Sequence, residues 1–262
     1  MRYDSAPARR RSILEALRVS GFVSVADLTR DLGVSDMTVR RDLRKLEDSG
    51  EVRVVRGGVS VPHGPLHAPA FVSRAGIAAV AKRRIAAAAV ELIRPADTVA
   101  IDAGTTTYAL AEALPEDFRG SVVTHSVPVI QLMLNRGSGR VVGLGGDVLP
   151  ESQAFVGPMT VDATSRLRVR ILFLGAAAMD DRGVYVATDI ERPTKQALIN
   201  IADRVVLLAD HTKFTTSAPV LLCTWDHITT VVTDIPPPQS VGDRLAAAGV
   251  EVRVASEDAL QI

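Results

Sequence analysis

Between residues 9 and 50 the apolar positions recur at helical spacing in short blocks, each closed by a glycine or opened by a serine. Ile13, Leu14 and Leu17 mark a first helix over residues 9–19, which Gly21 ends. Ser24 stands three residues before Asp27, a capping-box arrangement that opens a second helix running to Leu32. Gly33 and Val34 make a tight turn, and Ser35 caps a third helix from Asp36 to about Ser49, with Gly50 as its stop. On that helix Val39, Leu43 and Leu46 form the inward stripe, and Thr38, Arg41 and Lys45 lie on another face beside Arg40 and Arg44. Residues 51–59 alternate as a short hairpin around Gly57 and Gly58.

Two short helices, a tight turn, a basic third helix and a β wing spell a winged helix-turn-helix. A helix of this width enters the DNA major groove, where Ser35, Thr38, Arg40, Arg41, Arg44 and Lys45 would meet base edges and phosphates. Arg53 and Arg56 of the wing would neutralise phosphates and hold the register. The competing explanation is a merely solvated charged face, because Asp36, Asp42, Glu47 and Asp48 interleave with the arginines.

Beyond Val61 the pattern changes. Pro62, Gly64, Pro65 and Pro69 give residues 62–75 a linker composition. A long alanine-rich helix follows from Arg74 to a break near Arg94 and Pro95. After it, short apolar runs alternate with helical stretches, the signature of an α/β parallel sheet. The expected strands are 98–101, 121–124, 140–143, 171–175, 205–208, 228–232 and 251–254. The expected organisation is therefore a DNA-binding head at 6–61 (helix-turn-helix 23–42), a linker, and an effector domain at 76–262.

Charge supports the division. The chain of 262 residues is neutral overall, but residues 1–60 carry 12 basic and 9 acidic side chains, so the head is basic and the body mildly acidic. One cysteine excludes a disulfide framework and multi-cysteine zinc sites. The longest apolar run, residues 171–179, falls far short of the ~20 residues of a spanning helix. No secretory h-region opens the chain, so the cytoplasm is the expected location.

Ligands on open α/β sheets sit at the carboxyl ends of strands. Strand 98–101 runs into Asp102-Ala103-Gly104-Thr105-Thr106-Thr107 and then a helix, whose N-terminal N–H groups suit an anion. Strand 121–124 ends in Thr124-His125-Ser126, and strand 205–208 leads to Asp210 and the cation Lys213. Gly145 and Gly146 could let backbone close in between them. Each has a plainer explanation: a capped turn at 102–107, a solvated Lys213, and a helical i,i+4 pair between Glu191 and Lys195. His63, His67, His211 and His227 lack metal-ligand spacing, and neither nucleotide loop, G-x-x-x-x-G-K-[ST] nor G-x-G-x-x-G, is present. No metal or cofactor is expected. Ten unclustered aromatic residues argue against single-strand stacking.

The string Val34-Ser35-x-x-Thr38-Val39-Arg40-Arg41-Asp42-Leu43-x-x-Leu46-Glu47-x-x-Gly50, with Arg56-Gly57-Gly58, resembles the DeoR family of bacterial regulators. The body continues the resemblance through its D-x-G-T-T loop, its Thr124-His125-Ser126 strand end, its glycine pair and its Asp210-x-Thr212-Lys213-Phe214 loop. The resemblance implies a sugar-phosphate sensor similar in fold to ribose-5-phosphate isomerase and coenzyme A transferases. It places Asp102, Gly104, Thr105, Thr106, Thr107, Thr124, Ser126, Gly146, Asp210 and Lys213 at the effector. His125 joins them, where the family usually has Asn; an imidazole is larger and lacks the amide's paired donor and acceptor.

Two function classes follow. One is an operator-binding regulator, usually a repressor in such a family, acting on a carbohydrate operon and released by a phosphorylated sugar. The other is a sugar-phosphate isomerase with an appended DNA-binding head, for which Asp102 and Asp210 would be the available carboxylates. The expected partners are double-stranded operator DNA, a sugar phosphate and a second copy of the chain, as homodimer or homotetramer, with no membrane.

Overall fold

The computed structural model describes residues 6–20, 22–55, 58–60 and 71–256. It divides into two compact units, residues 1–76 and 77–262, described separately below.

In the first unit α1 (Ala6–Ser20) is followed by β1 (Phe22–Ser24), α2 (Val25–Leu32), α3 (Asp36–Asp48), β2 (Arg53–Val55) and β3 (Gly58–Ser60). The caps are those the residue types demand. The Ser24 and Ser35 hydroxyls accept from the N–H groups of Asp27 and Thr38, at 3.0 and 3.3 Å, and Gly33 closes α2 at φ 65°. Ile13, Leu17, Leu28, Val39, Leu43 and Leu46 make the core with Val52 and Val59. The wing is more than a hairpin: β1 pairs with β3, so the sheet order is β1-β3-β2, all antiparallel. Asp42 is not on the solvated face. It is buried and accepts from the Arg9 guanidinium at 2.8–2.9 Å, a pair that ties α1 to α3.

The first unit ends with α4 (Phe71–Gly76) and the second opens with α5 (Ala79–Val90), two helices where one was expected from Arg74. Between them Ala78 takes φ 51°, a left-handed conformation that no continuous helix contains. There follow β4 (Thr98–Ile101), α6 (Thr105–Glu112), β5 (Ser121–Thr124), α7 (Val127–Arg136) and β6 (Arg140–Gly143). Next come β7 (Asp147–Leu149), β8 (Ala154–Val156), α8 (Pro158–Thr164), β9 (Val169–Gly175), β10 (Ala178–Met179) and β11 (Val184–Val186). The chain closes with α9 (Arg192–Asn200), β12 (Ala202–Leu208), β13 (Val220–Cys223), β14 (Thr230–Thr233), α10 (Gln239–Ala247) and β15 (Glu251–Val254).

The seven expected strands form one parallel sheet, in the order β15-β14-β12-β9-β4-β5-β6. Alternate residues serve opposite cores: Val206 and Leu208 of β12 pack with α5, α6 and α7, and Val205 and Leu207 with α9 and α10. Burial on both faces is why the central strands read as continuous apolar runs, whereas the edge strands β6 and β15 are partly exposed. The hairpin β7–β8 and the small antiparallel sheet β10-β11-β13 were not expected. Among the described residues no helix is long and apolar enough to cross a membrane.

Candidate functional site

Parallel pairing sets the strand ends level. Ile101 stands opposite both Thr124 and Phe173, so Asp102, His125 and Gly175 emerge side by side at the carboxyl edge. The sheet order changes direction here, since β4 has β5 on one side and the much later β9 on the other. Such a switch point opens the crevice where α/β sheets take ligands.

Asp102 is the centre of the site and is fully buried. Its Oδ2 accepts from the Gly175 N–H at 2.9 Å and from the Lys195 ammonium. Its Oδ1 lies 3.0 Å from His125 Nε2. Burial alone would push this carboxyl upward; Lys195 and His125 outweigh it and hold Asp102 at about 2. Lys195 therefore does not make the expected helical pair with Glu191. The helix contributes only its backbone bond, Lys195 N–H to Glu191 C=O at 3.2 Å, and the Glu191 carboxylate accepts from the Ser152 hydroxyl instead. Lys195 is the site residue that sequence reasoning missed.

His125 bridges elements. Its Nδ1 faces the Phe155 carbonyl at 2.9 Å, and a carbonyl only accepts, so Nδ1 carries a proton. Nε2 faces both the Ala103 N–H, at 3.1 Å, and Asp102 Oδ1. With the proton on Nδ1, Nε2 accepts from the Ala103 N–H. Through Phe155 and the bridge between Ser126 and Ala154, β8 is held against this strand end.

The hydroxyls divide into two groups. Thr107 Oγ1 donates to the carbonyls of Asp102 and Gly104, at 2.7 and 3.0 Å, and so shapes the loop. Thr124 Oγ1 donates to Ile101 C=O at 2.6 Å and accepts from Ser126 N–H; Ser126 Oγ caps α7 by accepting from Val129 N–H. Gly104, Thr105 and Thr106 form the N-terminus of α6, with both threonines buried. Gly146, at φ 148°, packs so tightly that a Cβ would meet Thr160 Oγ1 at 2.1 Å. Asp210 stands at the end of β12, two strands from β4, where its Oδ1 accepts from Thr212 N–H at 3.0 Å and caps the turn His211–Phe214 that carries Lys213. Its other oxygen is buried without a hydrogen-bond partner among the described residues. Burial pushes the Cys223 thiol up to about 12, far from a nucleophile's range.

In the head, α3 presents Arg40, Arg41, Arg44 and Lys45 to solvent, with Arg40 paired to Asp36 at 2.6 Å. Ser35 and Thr38 hydroxyls bond each other at 2.9 Å. Arg53 lies in β2, and Arg56 lies outside the described residues.

Family comparisons agree with this division. Residues 9–64 match the DeoR-like helix-turn-helix domain, and residues 77–235 match the DeoR C-terminal sensor domain. The Escherichia coli K12 regulator YgbI, an uncharacterized HTH-type transcriptional regulator, is 31% identical over 95% of this chain and 98% of its own length. The glycerol-3-phosphate regulon repressor of the same organism is 31% identical over 89% and 92%. Among solved structures, ribose 5 phosphate isomerase A from Neisseria gonorrhoeae is similar over 51% of this chain and 52% of its own, at 18% identity and a TM-score of 0.38. The matched head and sensor together span most of the sequence, and the chain belongs to the DeoR family of helix-turn-helix transcriptional regulators.

Proposed function

We propose that this regulator represses a carbohydrate-utilisation operon and leaves its operator when a phosphorylated sugar enters the sensor. The observation that carries the reading is the polar strand-end site: Asp102, His125 and Lys195 are bonded together beside the N-terminus of α6, on an otherwise apolar sheet. Free N–H groups at a helix start, with threonine hydroxyls beside them, suit a phosphate, and Lys213 is the proposed counter-cation. Asp102 and His125 stand behind that helix start and hold the strand end in shape, through the Gly175 N–H and the Phe155 carbonyl. The relative named for the glycerol-3-phosphate regulon supports both the repressor sign and a phosphorylated ligand. The proposal involves no metal or cofactor, and it places the protein in the cytoplasm with its DNA.

Binding in the sensor weakens binding at the head. Such coupling is typically about 1–3 kcal/mol, or roughly 5- to 150-fold, and is reciprocal. One head touches few base pairs, so the operator requires two half-sites and the protein a dimer or tetramer held by the sensor.

A thermal-shift panel of sugar phosphates tests the reading, because a ligand of the folded state stabilises by RT ln(1 + [L]/Kd). One member should raise the melting temperature, its dephosphorylated sugar should not, and no turnover should accompany it. Turnover of the stabilising compound would favour the isomerase alternative. On the DNA side, Arg41→Ala should lose about 1–3 kcal/mol per base contact and flatten base preference. Arg53→Ala should instead weaken all sequences alike and lower the salt dependence by about one ion per phosphate. Fluorescence anisotropy on matched and scrambled duplexes separates the two outcomes.

A further inference from the structure

Among the described residues of the head, Met37 is the one large apolar side chain exposed to solvent, at 80%. Its place on α3 makes that exposure specific. Helical spacing puts Met37, Arg41 and Arg44 on one stripe, at i, i+4 and i+7. Val39, Leu43 and Leu46, all buried, lie on the opposite side of the helix. The outward face of the recognition helix therefore begins with a thioether and continues with guanidinium groups. Thr38 does not share that stripe; it is half-buried, with its hydroxyl bonded to Ser35. Arg40 flanks the stripe and is paired with Asp36. On that exposed stripe the residue nearest the helix start is the methionine.

We propose that Met37 is a specificity residue that reads the 5-methyl group of a thymine in the major groove. The proposal rests on the operator reading given above. Only thymine offers an apolar group on the major-groove edge of an unmodified duplex; the other base edges there are donors and acceptors. A methionine cannot satisfy those polar edges, and covering one leaves it without its water. It can pack its flexible, polarizable Sδ–Cε end on a methyl group. Arg41, four residues on, is about 6 Å further along the helix, close to two base-pair steps of 3.4 Å. The thymine contacted by Met37 accordingly lies within about two base pairs of the guanine suited to Arg41.

The operator is obtained by selection from a random duplex library with the full-length protein. Each thymidine of the selected duplex is then replaced singly by deoxyuridine, which removes only the methyl group. The wild-type protein should lose about four-fold in affinity at one thymidine per half-site and little at the others, the worth of one buried methyl group. Met37→Ala should lose a similar factor on the thymidine duplex and become indifferent to deoxyuridine there, while still discriminating the guanine opposite Arg41. The proposal is overturned if wild type ignores every deoxyuridine, or if Met37→Ala pays the same penalty at the same position. Either result, with a sequence selected, leaves operator binding intact. Selection of no preferred duplex would overturn the operator reading, and Met37's role with it.

Discussion

Replacing Lys195 with methionine should remove about 3–5 kcal/mol of sensor stability, because it leaves Asp102 charged, buried and without its cation. The pair is enclosed, with Lys195 only 4% exposed and Asp102 not at all. Water cannot substitute for the lost ammonium, and the Gly175 N–H and His125 remain as Asp102's partners. Urea unfolding of the full-length chain should show a weakened sensor transition. The double variant Asp102→Asn/Lys195→Met should recover most of the loss, since it removes both charges. An unchanged sensor transition in Lys195→Met would contradict the buried pair. Acid reports on the same carboxylate. Its folded value of about 2 lies below its ordinary value of 3.8, so its stabilisation is complete well above that value and is lost as pH falls toward 2. Asp102→Asn should flatten that part of the acid limb.

Lys213→Ala and Thr105→Val should bind the operator as wild type does and fail to release it at the effector concentration that frees the wild-type protein. A charge-assisted bond to phosphate is about twice as strong as a neutral one, so loss of the cation should weaken the effector several-fold or more. Thr105 opens α6, and valine there keeps the volume while removing a hydroxyl donor. Electrophoretic mobility shifts across an effector titration check both variants. Wild-type release by either one would show that the phosphate is held elsewhere and that the loop at 102–107 is an ordinary turn.

The parts legible in the chain were those whose physics is local. The central sheet strands announce themselves as apolar runs ending in Asp102, Thr124 or Ala209-Asp210, because both faces are covered and only the ends meet polar surroundings. Ser24, Ser35 and Gly33 mark helix ends by chemistry confined to a few residues. Strands β10 and β11 have two and three residues, too few to establish a period of two. Lys195 was illegible for a different reason. Its partner stands 93 positions earlier, and the neighbouring Glu191 offered a plausible local partner that the fold assigns to Ser152. Asp42 likewise reads as one more surface charge until α1 brings Arg9 against it. Met37 escaped because a polar face is sought among polar residues, and its exposure is a property of the helix's rotation against the core.

The central claim is linkage between the sensor site and the operator. Its most direct measurement is operator affinity of the full-length protein at fixed salt, with and without the sugar phosphate that stabilises it most. Affinity should fall by roughly 5- to 150-fold, and saturating operator should weaken the sugar phosphate by the same factor in calorimetry. A sugar phosphate that binds and stabilises the protein while operator affinity stays the same would contradict the claim.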